Sequence, residues 1–278
     1  MKSKRHLLVC ILLIITTTLS GCSLVDKTLV KFGFRNTDFD YMINNKVEKI
    51  IIQNSRDTGF RFVVTDSKAI NDIYKILREG EPKEKKTSLD SDYVFEIYLV
   101  GDEVKSYNYV VNLDEKKVGN FYNDKVIYDI SSNLDETILN NLEFIRKPKN
   151  FNDIYYNSIL KVLELKKKEL TSGENVVGID INGDVDCLKY MFSVDLEKFE
   201  KDINKIIPGA QLTDNNNEEF DTIITVNNNG YNTKLFKTVI TVDNRKDKIY
   251  QTYYVKGIYE YKNWDIIVSD PDIKPSDW

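Results

Sequence analysis

The last third of the chain, FDTIITV (220–226), LFKTVITV (235–242), IYQTYYVKGIYEY (249–261) and WDIIV (264–268), sets the class of the fold. β-Branched and aromatic residues dominate all four runs, and these are the types that fit a pleated, half-buried surface. The separators are Asn228-Asn229-Gly230, Asn244-Arg245-Lys246-Asp247 and Lys262-Asn263, which are turn formers. Strands joined by such short turns pair antiparallel with their neighbours, so this stretch predicts a four-stranded antiparallel sheet.

Ahead of the sheet, residues 154–170 read as one long helix, with Tyr155, Ile159, Val162, Leu163 and Leu170 on a common side. Asn182-Gly183 is the preferred pair for a two-residue hairpin turn and predicts one between residues 178–181 and 184–188. Asp195 is placed to cap a helix carrying Leu196, Phe199, Ile203 and Ile206, which stops before Pro208-Gly209. The order helix, hairpin, helix, four strands, closed by YEYKNWDI (259–266), resembles the cone-shaped nuclear-transport-factor-like fold, with the cystatin-like arrangement as near neighbour. That resemblance implies a curved sheet wrapped around the long helix over residues 151–270. It implies no particular activity, since the fold serves enzymes, binding modules and assembly domains.

Lys147-Pro148-Lys149-Asn150 marks a domain boundary, because proline disfavours helix in the residue before it and the stretch is polar. On its amino-terminal side, residues 47–53 and 60–65 flank Asp57-Thr58-Gly59 and read as a hairpin. Asp66 or Ser67 caps a helix with Ala69, Ile70, Ile73, Tyr74 and Leu77 at helical spacing. A charged loop over 80–92 leads into a strand in which Tyr93, Phe95, Ile97 and Leu99 alternate. A further strand follows over 104–112 and a strand or hairpin over 118–130, then a helix carrying Ile138, Leu142 and Ile145. The prediction for the whole is an α+β protein of two small domains, residues 47–147 and 151–270, each an antiparallel sheet packed against helices, followed by a tail at 271–278. The stretch DYVFEI (92–97) resembles domains of uncharacterised lipoproteins from low-GC Gram-positive spore formers, a likeness that implies no activity. Abundant Tyr, Asn, Lys and Ile agree with such an AT-rich source.

The amino terminus predicts a location. Lys2, Lys4 and Arg5 precede an apolar run from Leu7 to Ile15, about half the roughly 20 residues that a spanning helix needs. Leu19-Ser20-Gly21-Cys22 then resembles the lipobox of bacterial lipoproteins. The resemblance implies a signal peptide over 1–21, cleavage before Cys22, acylation of Cys22, and a protein anchored by lipid to the outer side of the cell membrane. Residues 22–46 would form the anchor and tether, where Leu24, Val25, Leu29 and Phe32, with Lys27 and Lys31 beside them, lie against the membrane surface or pack on the first domain.

Loss of residues 1–21 removes three positive charges and no negative ones, taking the net charge from −5 to −8. An acidic chain of this kind is a poor partner for nucleic acid. The only histidine, His6, lies in the signal, so Ser-His-Asp and Cys-His catalysis and His-ligated metals are excluded. Of three cysteines only Cys187 remains free, which leaves no intramolecular disulfide; its apolar setting predicts a small buried side chain.

Three groups of residues invite a chemical reading. Asp180, Asn182, Asp184 and Asp186 alternate like calcium ligands, but a calcium loop needs glycine at its sixth position and glutamate at its twelfth, where Met191 stands; no metal and no cofactor are predicted. Glu96 and Glu260 form a carboxylate pair of the kind that hydrolyses glycosides, provided that the two domains bring them together. Tyr107 and Tyr109, then Tyr250, Tyr253, Tyr254, Tyr259 and Tyr261, are rows able to stack on sugar rings or anchor a protein, and equally ordinary strand residues. The second row is the predicted ligand or partner surface. The sequence thus predicts a non-catalytic lipoprotein that binds or scaffolds a cell-envelope partner. The alternatives are small-molecule or cell-wall glycan binding in the second domain, or a histidine-free glycan hydrolase.

Overall fold

The structure is a computed structural model, and it describes residues 35–44, 47–143, 147–214 and 216–278. The signal, Cys22 and most of the tether lie outside the described residues, as do the side chains of Ile138, Leu142 and Ile145. The protein is α+β, with two sheets, each packed against helices.

The first sheet contains β1 (Val47–Asn54), β2 (Arg61–Val64), β3 (Glu81–Pro82), β4 (Tyr93–Leu99), β5 (Val104–Tyr109), β6 (Phe121–Tyr122) and β7 (Ile127–Asp129), in the spatial order β2-β1-β4-β5-β6-β7-β3. Every pair is antiparallel. Tyr93, Phe95, Ile97 and Leu99 all face the core, as their alternation predicts. Helix α1 (Tyr41–Asn44) and helix α2 (Ser67–Arg78) cover that face. The Asp66 carboxylate caps α2 by accepting from the Ala69 N–H at 2.8 Å, and Ile70, Ile73, Tyr74 and Leu77 are buried beneath it. The core begins before Val47: Phe39 lies 5.2 Å from Tyr128 and 5.7 Å from Tyr107 between ring centroids, and Met42 is buried beside it. Residues 36–44 therefore belong to the first domain and not to the tether. Helix α3 (Ser132–Glu143) closes this half.

Helix α4 (Phe151–Leu170) opens the second half; at 1.5 Å per residue its 20 residues span about 30 Å. It lies against β11 (Leu235–Asn244), β12 (Ile249–Glu260) and β13 (Asn263–Val268), which continue antiparallel from β10 (Thr222–Tyr231). Close approach is possible because residue 257 is glycine: a Cβ there would stand 2.3 Å from Ile154 Cδ1.

The predicted hairpin at Asn182-Gly183 does not form. β8 (Val177–Asp180) pairs parallel with β10, and β9 (Gln211–Leu212) pairs parallel with β8, so the second sheet is mixed, in the order β13-β12-β11-β10-β8-β9. Asp180 Oδ1 accepts from the Asn182 N–H at 3.0 Å, and Asn182 Nδ2 donates to the Thr213 carbonyl at 2.8 Å. These bonds turn the chain toward residue 213 and away from a returning strand. The short helix α5 (Val185–Leu188) follows and buries Cys187 in the core, as its apolar setting predicts. The next helix, α6 (Ser193–Ile206), starts two residues before Asp195, which falls in its first turn and does not cap it.

The tail folds back over the outer face of this sheet. Asp272 donates its N–H to the Thr252 carbonyl at 2.8 Å and accepts from the Thr252 N–H at 2.9 Å. Lys256 pairs with Asp277 at 2.5 Å, and the Trp278 ring sits 5.2 Å from Tyr254 and under Lys237.

Candidate functional site

The two domains meet around one buried carboxylate. Asp92, at the end of the charged loop and just before β4, has 0% of its surface exposed. Its Oδ1 pairs with Arg56 at 2.6 Å and accepts the Ser193 N–H at 2.7 Å, while Oδ2 accepts the Val111 N–H at 2.8 Å. Arg56 comes from the turn between β1 and β2, and its guanidinium also donates to the Met191 carbonyl at 3.2 Å and to the Ser193 hydroxyl. The Ser193 hydroxyl donates in turn to the Asp90 carbonyl at 2.6 Å.

This arrangement explains why α6 starts where it does. The first N–H groups of a helix have no partner inside it, and its amino end favours negative charge. The residue at the cap position, Phe192, makes no side-chain cap. Asp92 supplies that cap from the other domain. Burial pushes the Asp92 carboxyl above the usual carboxylate range, a rise that Arg56 and the Val111 and Ser193 N–H groups offset only in part. Phe192 leaves its own domain as well, packing in the first core with its ring 6.5 Å from Tyr93.

Beside this junction lies a cleft of about 630 Å³, and both domains line it. Leu89, Ile181, Leu188, Met191, Leu196 and Leu212 give it an apolar lining, with Arg56 and Ser193 at the junction itself. Asp90, Glu197, Glu200 and Asp214 add carboxylates. Glu197 pairs with Lys201 at 3.0 Å on the exposed face of α6. The other three carboxylates form no ion pair among the described residues.

The predicted tyrosine surface is divided by the strand that carries it. Tyr253 is 4% exposed and points into the core, whereas Tyr250, 62% exposed, lies on the opposite face. Tyr254 is covered by Trp278, and Tyr259 packs 5.2 Å from Trp264 with Lys149 over its ring. Tyr261 stands in the turn between β12 and β13, 94% exposed. The structure does not gather these five into one patch, because alternate residues of a strand face opposite ways. Tyr107 and Tyr109 are buried in the first core. Glu96 accepts from the Tyr98 hydroxyl on the outer side of the first sheet, and Glu260 ends β12 in the second; the two carboxylates are not brought together.

The aspartates of the 180–186 run turn to different neighbours. Asp180 accepts from Asn217 Nδ2 at 2.8 Å. Asp184 is buried, its Oδ1 accepting the Asn228 N–H at 3.2 Å. The Tyr155 hydroxyl and the Cys187 thiol face it at the edge of hydrogen-bonding geometry, and Oδ2 is left without a well-formed bond. Burial pushes the Asp184 carboxyl up to about 6, against the pull of Tyr155, Asn228 and Cys187. No group of three or more metal-ligating side chains converges among the described residues. The interior of the second domain, where the small-molecule alternative needs an enclosed pocket, is filled by Tyr155, Ile159, Val162, Phe236, Ile240 and Val255.

Residues 43–148 match the family model described as YhfM protein. No curated protein and no solved structure matches the chain. The segment similar to the YhfM family holds Arg56, Asp90 and Asp92. The rest of the cleft, from Ile181 to Asp214, lies outside that match. Sequence reasoning missed this site, since nothing local to Asp92 announces a helix 101 residues away. The one available signal was the lack of a capping side chain at Phe192.

Proposed function

We propose that the chain is a lipid-anchored extracytoplasmic lipoprotein, tethered through Cys22, that binds or scaffolds a cell-envelope partner without catalysis, and that the partner is held in the cleft between the two domains. The observation that carries this reading is the cleft itself, built jointly by both domains around the Arg56, Asp92 and Ser193 junction. Ligand sites favour domain interfaces, where concave surface arises without hollowing a core. Crosslinking in intact cells followed by mass spectrometry, with the wild type beside Cys22→Ala, tests the reading. An envelope protein recovered with the wild type and lost with the variant supports it. Recovery of the same protein with both, or of nothing with a well-folded wild type, overturns it.

The size of the cleft favours one second reading. A volume of about 630 Å³ falls in the range that encloses small ligands, so soluble wall fragments are the competing occupant. A rise in melting temperature on adding muropeptides, absent with a cleft variant such as Leu196→Trp, would favour them.

A further inference from the structure

We infer that the occupant of the interdomain cleft is a peptide segment of a partner protein in which lysine or arginine alternates with large apolar residues. This rests on the proposal that the cleft is the partner site, and it names the chemistry the site selects. Two observations support it.

The lining is amphipathic in a definite way. Leu89, Leu188, Leu196 and Leu212, all part-exposed, come from both domains and offer apolar side chains a surface to leave water. Charge is one-sided: Arg56 is the cation among the lining residues, and Asp92 neutralises it at 2.6 Å. Asp90, Glu200 and Asp214 are left without counter-ions among the described residues, so the field in the cleft is negative and selects cations. An anionic or purely polar glycan would meet like charge or leave the leucines wet.

The test uses the described chain with its domains joined. Three dye-labelled octapeptides are compared by fluorescence anisotropy at low and physiological salt: lysine alternating with leucine, glutamate with leucine, and lysine with serine. The expected result is saturable binding of the lysine-leucine peptide alone, weakening as salt screens the carboxylates. The combined variant Asp90→Asn, Glu200→Gln, Asp214→Asn weakens it at least tenfold. The charge-matched combination Asp114→Asn, Glu115→Gln, Glu164→Gln leaves it unchanged. Equal binding by the glutamate or serine peptides, equal loss in both combinations, or no binding overturns the inference. Should the combined variant lose its circular dichroism spectrum, the exposed Asp214→Asn alone, expected to weaken binding severalfold, decides in its place. A photo-crosslinking residue at position 200, with position 116 as control, separates this failure from that of the underlying proposal. A partner captured at 200 with no lysine-leucine binding leaves the cleft as the site and removes only the peptide chemistry. Capture at 116 alone removes the cleft.

Discussion

At the scale of single residues, Asp92 and Asp184 are both buried carboxylates, yet their surroundings give them opposite consequences. Asp92 accepts from a guanidinium and two backbone N–H groups, so its removal strands a part-buried cation, leaves the N–H groups without their acceptor and uncaps a helix. Breaking a buried pair from one side costs roughly 3–5 kcal/mol, and Asp92→Ala is expected to lose about that much in urea unfolding. Asp184 has little to hold its charge, and its folded pKa, about 6, stands above that of the unfolded chain. The unfolded state therefore releases its proton first as pH rises. The contribution of Asp184 to stability is full below about pH 4, falls as pH climbs through 6, and is level beyond. Asp184→Asn removes that slope. The difference in stability between variant and wild type, measured by urea unfolding from pH 4 to 7, should shift in favour of the variant by on the order of 2 kcal/mol. A constant difference would show that Asp184 keeps an ordinary pKa in the folded protein.

At the scale of elements, legibility followed sequence distance. β10 to β13 were readable because each is tied to the next by a short turn and each alternates with period two. The first-domain hairpin and α2, with its Asp66 cap, were readable for the same local reasons. β8 was misread because its partner, β10, lies more than 40 residues downstream, and Asn182-Gly183 carries no mark of a parallel neighbour. The site was less legible than the fold: the tyrosine row was visible as a row, but the cleft is assembled from separated loops and helix ends. One packing contact at this scale is testable. Gly257→Ala drives a Cβ against the buried Ile154 side chain, which must repack or carry α4 away from β12 to relieve it. Overpacking of this kind costs roughly 1–3 kcal/mol, read as a lower urea midpoint. A midpoint equal to wild type would mean that Ile154 is not held tightly against residue 257.

At the scale of the whole molecule, Phe192 and Asp92 each cross the domain boundary, one in each direction. The wild type is therefore expected to unfold in one transition. Trp264 lies in the second sheet and Trp278 in the tail packed on it, so selectively excited tryptophan fluorescence reports on that half while circular dichroism reports on both. Phe192→Ala empties a site in the first core, at a cost of about 3–5 kcal/mol, and should separate the two signals in denaturant. Coincident curves in the variant would show that the Asp92 cap suffices to couple the domains.

The reciprocal crossing also sets a schedule for a chain that is made from its amino end. Asp92 is synthesised 101 residues before the helix that it caps, an interval of about 5 to 20 s at ordinary synthesis rates. From residue 129 onward the first domain has all its strands, but it lacks the phenylalanine that completes its core until residue 192 follows, and its Arg56 and Asp92 pair is open to water. A chain that emerges amino end first, from the ribosome or across a membrane, is thus expected to leave its first domain open to chaperones and proteases until residues 192 and 193 follow, with the docking of the two domains as the last step of folding.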